Sequence, residues 1–309
     1  MGTPELACAS LEALLNAPDI QVVAVVTQPD RPKGRALQLA PSPVKELASR
    51  KGLPVLQPEK AREKDFIESI RQMNPDLILV AAYGQILPAA LLEVPRLGCL
   101  NVHTSLLPKL RGAAPIQWAI LKDELMTGVT IMKMDVGLDT GDILTQQSTA
   151  ILPTDDAQSL QDRLAQLGGR LLVETIGPYT SGTLQPTPQP ADGATYARKI
   201  LKEDGRINWN QPVRTIWNQV RGLVPWPGAF TYLSDTKKSL LKVWKAEVAT
   251  GTAAPGEVLS ADKSGIVVGC GADVLRILSL QREGGRRLLA AEFLAGWPLE
   301  PGHRFASVT

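Results

Sequence analysis

The residues of this 309-residue chain that could do chemistry gather in one stretch, Asn101-Val-His-Thr-Ser-Leu-Leu-Pro-Lys-Leu-Arg-Gly-Ala-Ala-Pro115. One of the two histidines in the sequence falls there, two residues after an asparagine and at the end of an apolar run. In an extended chain residues i and i+2 point the same way, so Asn101 and His103 can reach one reacting group. An amide NH2 and an imidazolium are both donors, suited to the oxyanion that forms when a nucleophile attacks a carbonyl. A base or orienting carboxylate is needed beside them. The stretch MKMDVGLDTGDIL (132–144) offers Asp135, Asp139 and Asp142 in a glycine-containing loop after the next apolar run, expected at the same edge of the sheet. No serine or cysteine stands out as an activated nucleophile, because Ser105 has no second histidine to serve it except the distant His303. The set reads as direct transfer between two bound substrates, without a covalent enzyme intermediate. The plainer alternative makes His103 a structural residue at a strand end and the loop aspartates turn formers.

The elements that must position these residues show two textures. Apolar runs at 21–28, 53–58, 76–84, 98–103 and 127–134 alternate with amphipathic stretches such as KDFIESIRQM (64–73). That alternation predicts an α/β, Rossmann-like domain over 1–182, a mostly parallel sheet flanked by helices on both faces. Such sheets bind ligands outside the carboxyl ends of their strands, which is where His103 is placed. A Pro/Gly/Thr-rich segment, SGTLQPTPQPADGATYA (181–197), reads as a linker spanning 183–204. Beyond it, over 205–309, the β-rich runs AFTYL, LLKVWKAEV, GEVLSA, GIVVGCG and VLRILSLQ follow at roughly ten-residue spacing. They predict a small C-terminal β-barrel, OB-like in kind. No internal repeat is visible.

Composition narrows the function classes. With 44% apolar and 21% charged residues the chain is neither disordered nor fibrous. No apolar run approaches the eighteen or so residues of a membrane span, and the N-terminus lacks a signal-peptide layout, so a cytoplasmic location is expected. Cys8, Cys99 and Cys270 are widely spaced and form no CxxC pair, which suggests structural thiols rather than a disulfide framework or a metal site. From Arg206 onward there are 13 Lys/Arg against 8 Asp/Glu, leaving 20 against 23 before it. The C-terminal third is therefore the basic part, as in a domain that meets a polyanion. A dinucleotide-dependent oxidoreductase is excluded by the lack of a GxGxxG after a first strand.

The stretch NVHTSLLPKLRGAAPIQWAI, followed by TGVTIMKMDVGLDTGDIL from Thr127, closely resembles the folate-dependent formyltransferases. The resemblance runs over nearly the whole chain, through GTPELA (2–7), VTQPDRPKGRALQLAPSPVKELA (26–48), AYGQILP (82–88), TYARKI (195–200), INW (207–209), VWKAEV (243–248) and GRRLLAAEFLAG (285–296). TQPDRPxGR, RGAAPIQ and the β-rich C-terminal part point to the branch acting on methionyl-tRNA. They point away from the branches acting on glycinamide ribonucleotide or amino sugars.

The resemblance implies a catalytic trio of Asn101, His103 and Asp139, the last chosen because it precedes Thr-Gly. The formyl donor it implies is 10-formyltetrahydrofolate, and the acceptor is the amine of methionine on initiator methionyl-tRNA. A folate pocket is implied along Ser105, Leu106, Leu107 and Pro108, joined by Tyr83, Gly84, Ile86 and Asp135 from two further loops. Contacts to tRNA are expected from Lys33 and Arg35, with Lys237, Lys238, Arg286 and Arg287 as looser phosphate contacts. The expected enzyme is a monomer that needs no metal. The alternatives are a formyltransferase acting on a small amine, or a silent folate or RNA binder.

Three departures from the family pattern stand out. Thr104 stands where the family has glycine, or proline in relatives, and this β-branched residue is expected to alter the loop shape or folate affinity. GRALQL lacks the lysines that usually follow Gly-Arg. Met1 occupies the last position of the family's first strand, so a chain lacking that strand, with bared neighbouring backbone and apolar side chains, is expected.

Overall fold

Ser42 shows how local sequence sets an element: its Oγ accepts from the Lys45 amide at 3.1 Å, and Pro43 follows it at the first helical position of Pro43–Arg50. Lys64–Gln72 likewise buries Phe66, Ile67 and Ile70 on one face, as its periodicity predicts. The computed structural model describes residues 1–33, 38–233 and 239–306. The chain divides into two compact units. One comprises Met1–Pro115, Met126–Ala150 and Gln161–Ala197, the other Ile116–Leu125, Ile151–Leu160 and Arg198–Thr309.

In the first unit Val25–Val26 pairs in parallel with Val55–Leu56, and Ile78–Val80 in parallel with Cys99–His103. Met1 and Gly2 stand between these halves. The Gly2 amide donates to the Val26 carbonyl at 2.9 Å, and the Ala81 amide to the Met1 carbonyl at 2.9 Å. Of the apolar run 21–28, only Val25 and Val26 enter a strand. Val22, Val23, Ala24, Leu77 and Leu79 are among the residues lining a cavity of about 510 Å³ beside Met1. Burial there holds the terminal amine's pKa down to about 6.

Past Cys99–His103 the sheet changes direction. Met126–Lys133 runs antiparallel to it, and Ile143–Ala150 antiparallel in turn to Met126–Lys133. The sheet is thus parallel on one side and antiparallel on the other, and Ile143–Ala150 is a strand the sequence reading did not place. Helices Glu5–Leu15, Pro43–Arg50 and Lys64–Gln72 belong to this unit. The segment read as a linker is tied into it up to Ala197: Tyr196–Ala197 pairs with Arg111–Gly112, and Thr195 Oγ1 accepts from the Leu110 amide at 2.9 Å.

All five β runs expected in the second unit form strands. They are ordered Ala229–Tyr232, Leu240–Ala249, Val274–Arg282, Gly265–Gly269 and Val258–Asp262, each antiparallel to the next, with Arg287–Leu289 on Val274–Arg282. Residues near the C-terminus close the ring. Arg304 bridges to Glu257 on one side, and Phe305 to Leu233 on the other. The core holds Trp209, fully buried, stacked on Phe305 at 5.7 Å and donating from Nε1 to Thr231 Oγ1 at 3.0 Å. The helix Val213–Gly222 packs its Val213, Ile216 and Val220 into the same core. Arg221 is itself buried and donates to Asn218 Oδ1 and to the carbonyls of Leu152 and Asp155. The thiols are buried, and desolvation pushes Cys8 up to about 11 and Cys99 and Cys270 up to about 12.

Candidate active site

Cys99–His103 is buried along its whole length, and its alternation sets Asn101 and His103 on one face. His103 Nε2 lies 3.0 Å from the Leu110 carbonyl. A carbonyl only accepts, so Nε2 carries a proton and donates. Nδ1 faces Asp139 Oδ2 at 3.7 Å, an ion-pair separation longer than a hydrogen bond. In the imidazolium both N–H groups then face an oxygen, one a carbonyl and one a carboxylate. The Asn101 carboxamide makes no hydrogen bond within the described residues, although Asn101 is only 9% exposed, so its NH2 is available to a bound group.

Asp139 arrives by a different route from the one expected. Because Met126–Lys133 is antiparallel to Cys99–His103, with Lys133 opposite Leu100, the loop 134–142 leaves at the opposite edge of the sheet from His103. It doubles back to bring Asp139 to His103. Asp139 sits at φ +53°, a left-handed conformation that Asp tolerates better than most side chains. Its Oδ2 accepts from the Gly112 amide at 2.8 Å, which aims the carboxylate. Asp135, expected at the folate, is exposed and also holds the loop: it accepts from Gly137 N at 3.0 Å and from Thr140 Oγ1 at 2.8 Å. Asp142 passes its carbonyl to the Lys133 amide.

The loop 104–110 is fixed from below by a residue that sequence reasoning missed. Thr130, fully buried, donates from Oγ1 to the Ser105 carbonyl at 2.7 Å and accepts from the Leu107 amide at 3.1 Å. Gln146 Nε2 adds bonds to the Leu107 carbonyl at 2.8 Å and to Thr130 Oγ1 at 2.9 Å. Ser105 Oγ donates to the Lys109 carbonyl at 2.6 Å. Leu107 is buried, and Leu106 and Pro108 are placed along the same loop. Thr104 is buried and is not among the residues with a left-handed φ, so its backbone does not require the family's glycine.

Of the neighbouring loop, Tyr83 turns its ring into the core at 1% exposure, while Gly84 (φ +83°) and Ile86, 85% exposed, face outward. Val136 and Leu138 are likewise exposed apolar side chains, on the 134–142 loop. None of these residues lines the 510 Å³ cavity beside Met1.

Of the residues expected to meet tRNA, Arg286 and Arg287 are described with their side chains. Arg35, Lys237 and Lys238 lie outside the described residues, as does the side chain of Lys33. Before and after residues 34–37, Arg31–Lys33 pairs with Gln38–Ala40, and Asp30 accepts from Lys45 at 2.7 Å and Gln57 at 2.8 Å, contacts that hold its carboxyl below the usual range. On the second unit Arg287 stacks over Trp244 at 3.9 Å, and Arg286 stands 3.5 Å from Glu292. Arg282 covers Trp297 at 4.0 Å in the same way.

The sheet thus sets an amide and an imidazole on one strand face and a carboxylate against that imidazole, groups of the kind an acyl-type transferase uses. Residues 2–176 match the formyl transferase domain and residues 199–298 the formyl transferase C-terminal domain, and the chain belongs to the formyl transferase family. It is 54% identical to a methionyl-tRNA formyltransferase of Citrifermentans bemidjiense, over 98% of this chain and 94% of that one. With the methionyl-tRNA formyltransferase of Geobacter metallireducens the identity is 52%, over 98% and 96%.

Among solved structures, an N-formyltransferase from Helicobacter canadensis with folinic acid and dTDP-3-aminofucose superposes with a TM-score of 0.63 at 20% identity, covering 89% of this chain and 97% of that one. HypX from Aquifex aeolicus in complex with tetrahydrofolic acid gives 0.59 at 20% identity, over 85% of this chain and 48% of that one. At that identity these likenesses show the fold.

Proposed function

We propose that this chain transfers the formyl group of 10-formyltetrahydrofolate to the amino group of methionine on initiator methionyl-tRNA. The identity of about half its residues to methionyl-tRNA formyltransferases over nearly its full length supports the acceptor. The observation that carries the chemistry is the placement of His103 between the Leu110 carbonyl and the Asp139 carboxylate, with an Asn101 amide on the same face that has no partner among the described residues.

The methionine amine attacks the formyl carbon. Its C–N bond forms as the carbonyl electrons move onto oxygen, where Asn101 Nδ2 donates to the oxyanion and His103 Nε2–H, released from the Leu110 carbonyl, is the second donor. Asp139 takes the proton from the attacking amine, directly or through water. Collapse re-forms the carbonyl and breaks the bond to the folate N10, which leaves with the proton that Asp139 took from the amine. Ser105, Leu106, Leu107 and Pro108 form the wall against the folate, and exposed Ile86 and the Asp135 loop flank its pterin. Main-chain atoms at Tyr83 and Gly84 complete that edge. Lys33, Arg35, Arg286 and Arg287 meet tRNA phosphates in this reading. The enzyme acts in the cytoplasm, where charged initiator tRNA is found, and as a monomer, which sedimentation of the purified chain checks.

The test is formyl transfer from 10-formyltetrahydrofolate to methionyl initiator tRNA, with an aminated sugar nucleotide as a competing acceptor. Transfer to the tRNA alone is expected. Preference for the sugar would overturn the acceptor. His103→Ala is expected to lower turnover at least about 100-fold while folate still binds. Near-normal turnover would remove His103 from the mechanism.

A further inference from the structure

Gln189 lies in the Pro-rich segment that sequence composition marks as a linker, yet its carboxamide is fully engaged. Nε2 donates to the carbonyls of Asp139 and Gly141, each at 2.8 Å. Oε1 accepts from Nε and Nη2 of Arg111 at 3.0 and 2.6 Å. Two donors against two carbonyls, and one oxygen against a guanidinium, allow a single amide orientation, since a flip would set N–H against N–H and oxygen against oxygen.

Arg111 is the chain neighbour of Gly112, whose amide donates to Asp139 Oδ2. The contacts therefore close a ring: Asp139 is held by its carboxylate through Gly112 and by its carbonyl through Gln189, and Arg111 joins the two holds. Asp139 needs such support. It occupies a left-handed φ of +53°, and it is carried on a loop whose residues 135–138 are all exposed.

We infer that Gln189 is a positioning residue for the reaction, setting the Asp139 carboxylate against His103 without touching either substrate. The inference rests on the reading of Asp139 as the proton acceptor. A strained backbone held from two sides keeps one carboxylate orientation, and a displacement of about 1 Å at a reacting group can cost on the order of 100-fold in rate.

Two substitutions separate the halves of the contact. Gln189→Met keeps the length of the side chain and removes all four hydrogen bonds. Gln189→Glu keeps the acceptor for Arg111 and turns an oxygen toward the two loop carbonyls. Both are expected to lower kcat roughly 10- to 100-fold, with KM for the formyl donor within about twofold. In an Asp139→Asn background Gln189→Met should cost less than about threefold more, because its effect runs through that carboxylate.

A second measurement needs no turnover. In Gln189→Met, hydrogen exchange of the Gly112 amide should rise at least about tenfold while amides of Cys99–His103 stay protected. Wild-type kcat in Gln189→Met, a full additional loss in the Asp139→Asn background, or unchanged Gly112 exchange would each overturn the inference. A wild-type chain that formylates no methionyl-tRNA would overturn the functional reading instead, and the exchange measurement would still decide the role of Gln189.

Discussion

Tyr83 is 1% exposed, and its hydroxyl has no hydrogen-bond partner among the described residues. Desolvation pushes that phenol up to about 12, so it stays neutral at any working pH. What anchors the residue is its carbonyl, which accepts from Thr3 Oγ1 and Gln28 Nε2, each at 2.9 Å. A buried hydroxyl without a partner costs its own desolvation, so Tyr83→Phe should leave stability unchanged or raise it by up to about 1 kcal/mol. Urea unfolding checks this, and an equal loss would show that the hydroxyl has a bonded role in solution. The shared face of Asn101 and His103 was legible from residue types and spacing, since two residues two apart at a strand end point the same way. The choice of Asp139 over Asp135 and Asp142 was not legible from chemistry, because three loop aspartates differ only in backbone conformation and partners, and it came from the family motif. Gln189 was invisible for a related reason. A glutamine among prolines signals a linker by composition, and only the folded chain shows which carbonyls its amide meets.

At the scale of elements, Thr130 shows how a strand positions a loop it does not belong to. Its Oγ1 meets Ser105, Leu107 and Gln146 at once. Thr130→Val preserves shape and strands the Leu107 amide and the Ser105 carbonyl, so the chain should lose about 1–3 kcal/mol of stability and bind the formyl donor more weakly. Chemical denaturation together with donor titration measures both, and unchanged donor affinity would detach the loop 104–110 from folate binding. Apolar runs announced Cys99–His103 and Met126–Lys133 as strands, but a run specifies buried faces and not direction, so the antiparallel turn of the sheet was not readable. Ile143–Ala150 escaped notice because Thr145, Gln146, Gln147 and Ser148 follow one another without an apolar alternation, as befits a strand whose residues 146–148 are exposed at the end of the sheet. In the second unit the alternating runs were strong enough to place all five strands. The closing contribution of Arg304 and Phe305 is two bridged residues long, too short for any periodicity to show.

For the whole molecule, the charge asymmetry and the arginines stacked on Trp244 and Trp297 form the basic surface that the proposed function sets against tRNA. Phosphate contacts release counterions, so tRNA affinity should fall at least about tenfold between roughly 50 and 200 mM salt, while donor KM changes less than about twofold. Filter binding and steady-state kinetics at several salt concentrations measure the two, and a salt-independent tRNA affinity would remove the basic surface from recognition. The division of the chain carries one more consequence. The second unit draws on Ile116–Leu125 and Ile151–Leu160 as well as everything from Arg198, and Arg221 reaches back to the Leu152 and Asp155 carbonyls. A gene cut after Ala197 would therefore yield a downstream fragment lacking two of its own structural pieces and an upstream fragment carrying both as orphans. The core of the second unit nonetheless falls wholly between Ile207 and Phe305, so the downstream fragment keeps its barrel core and loses the two carbonyls that Arg221 meets.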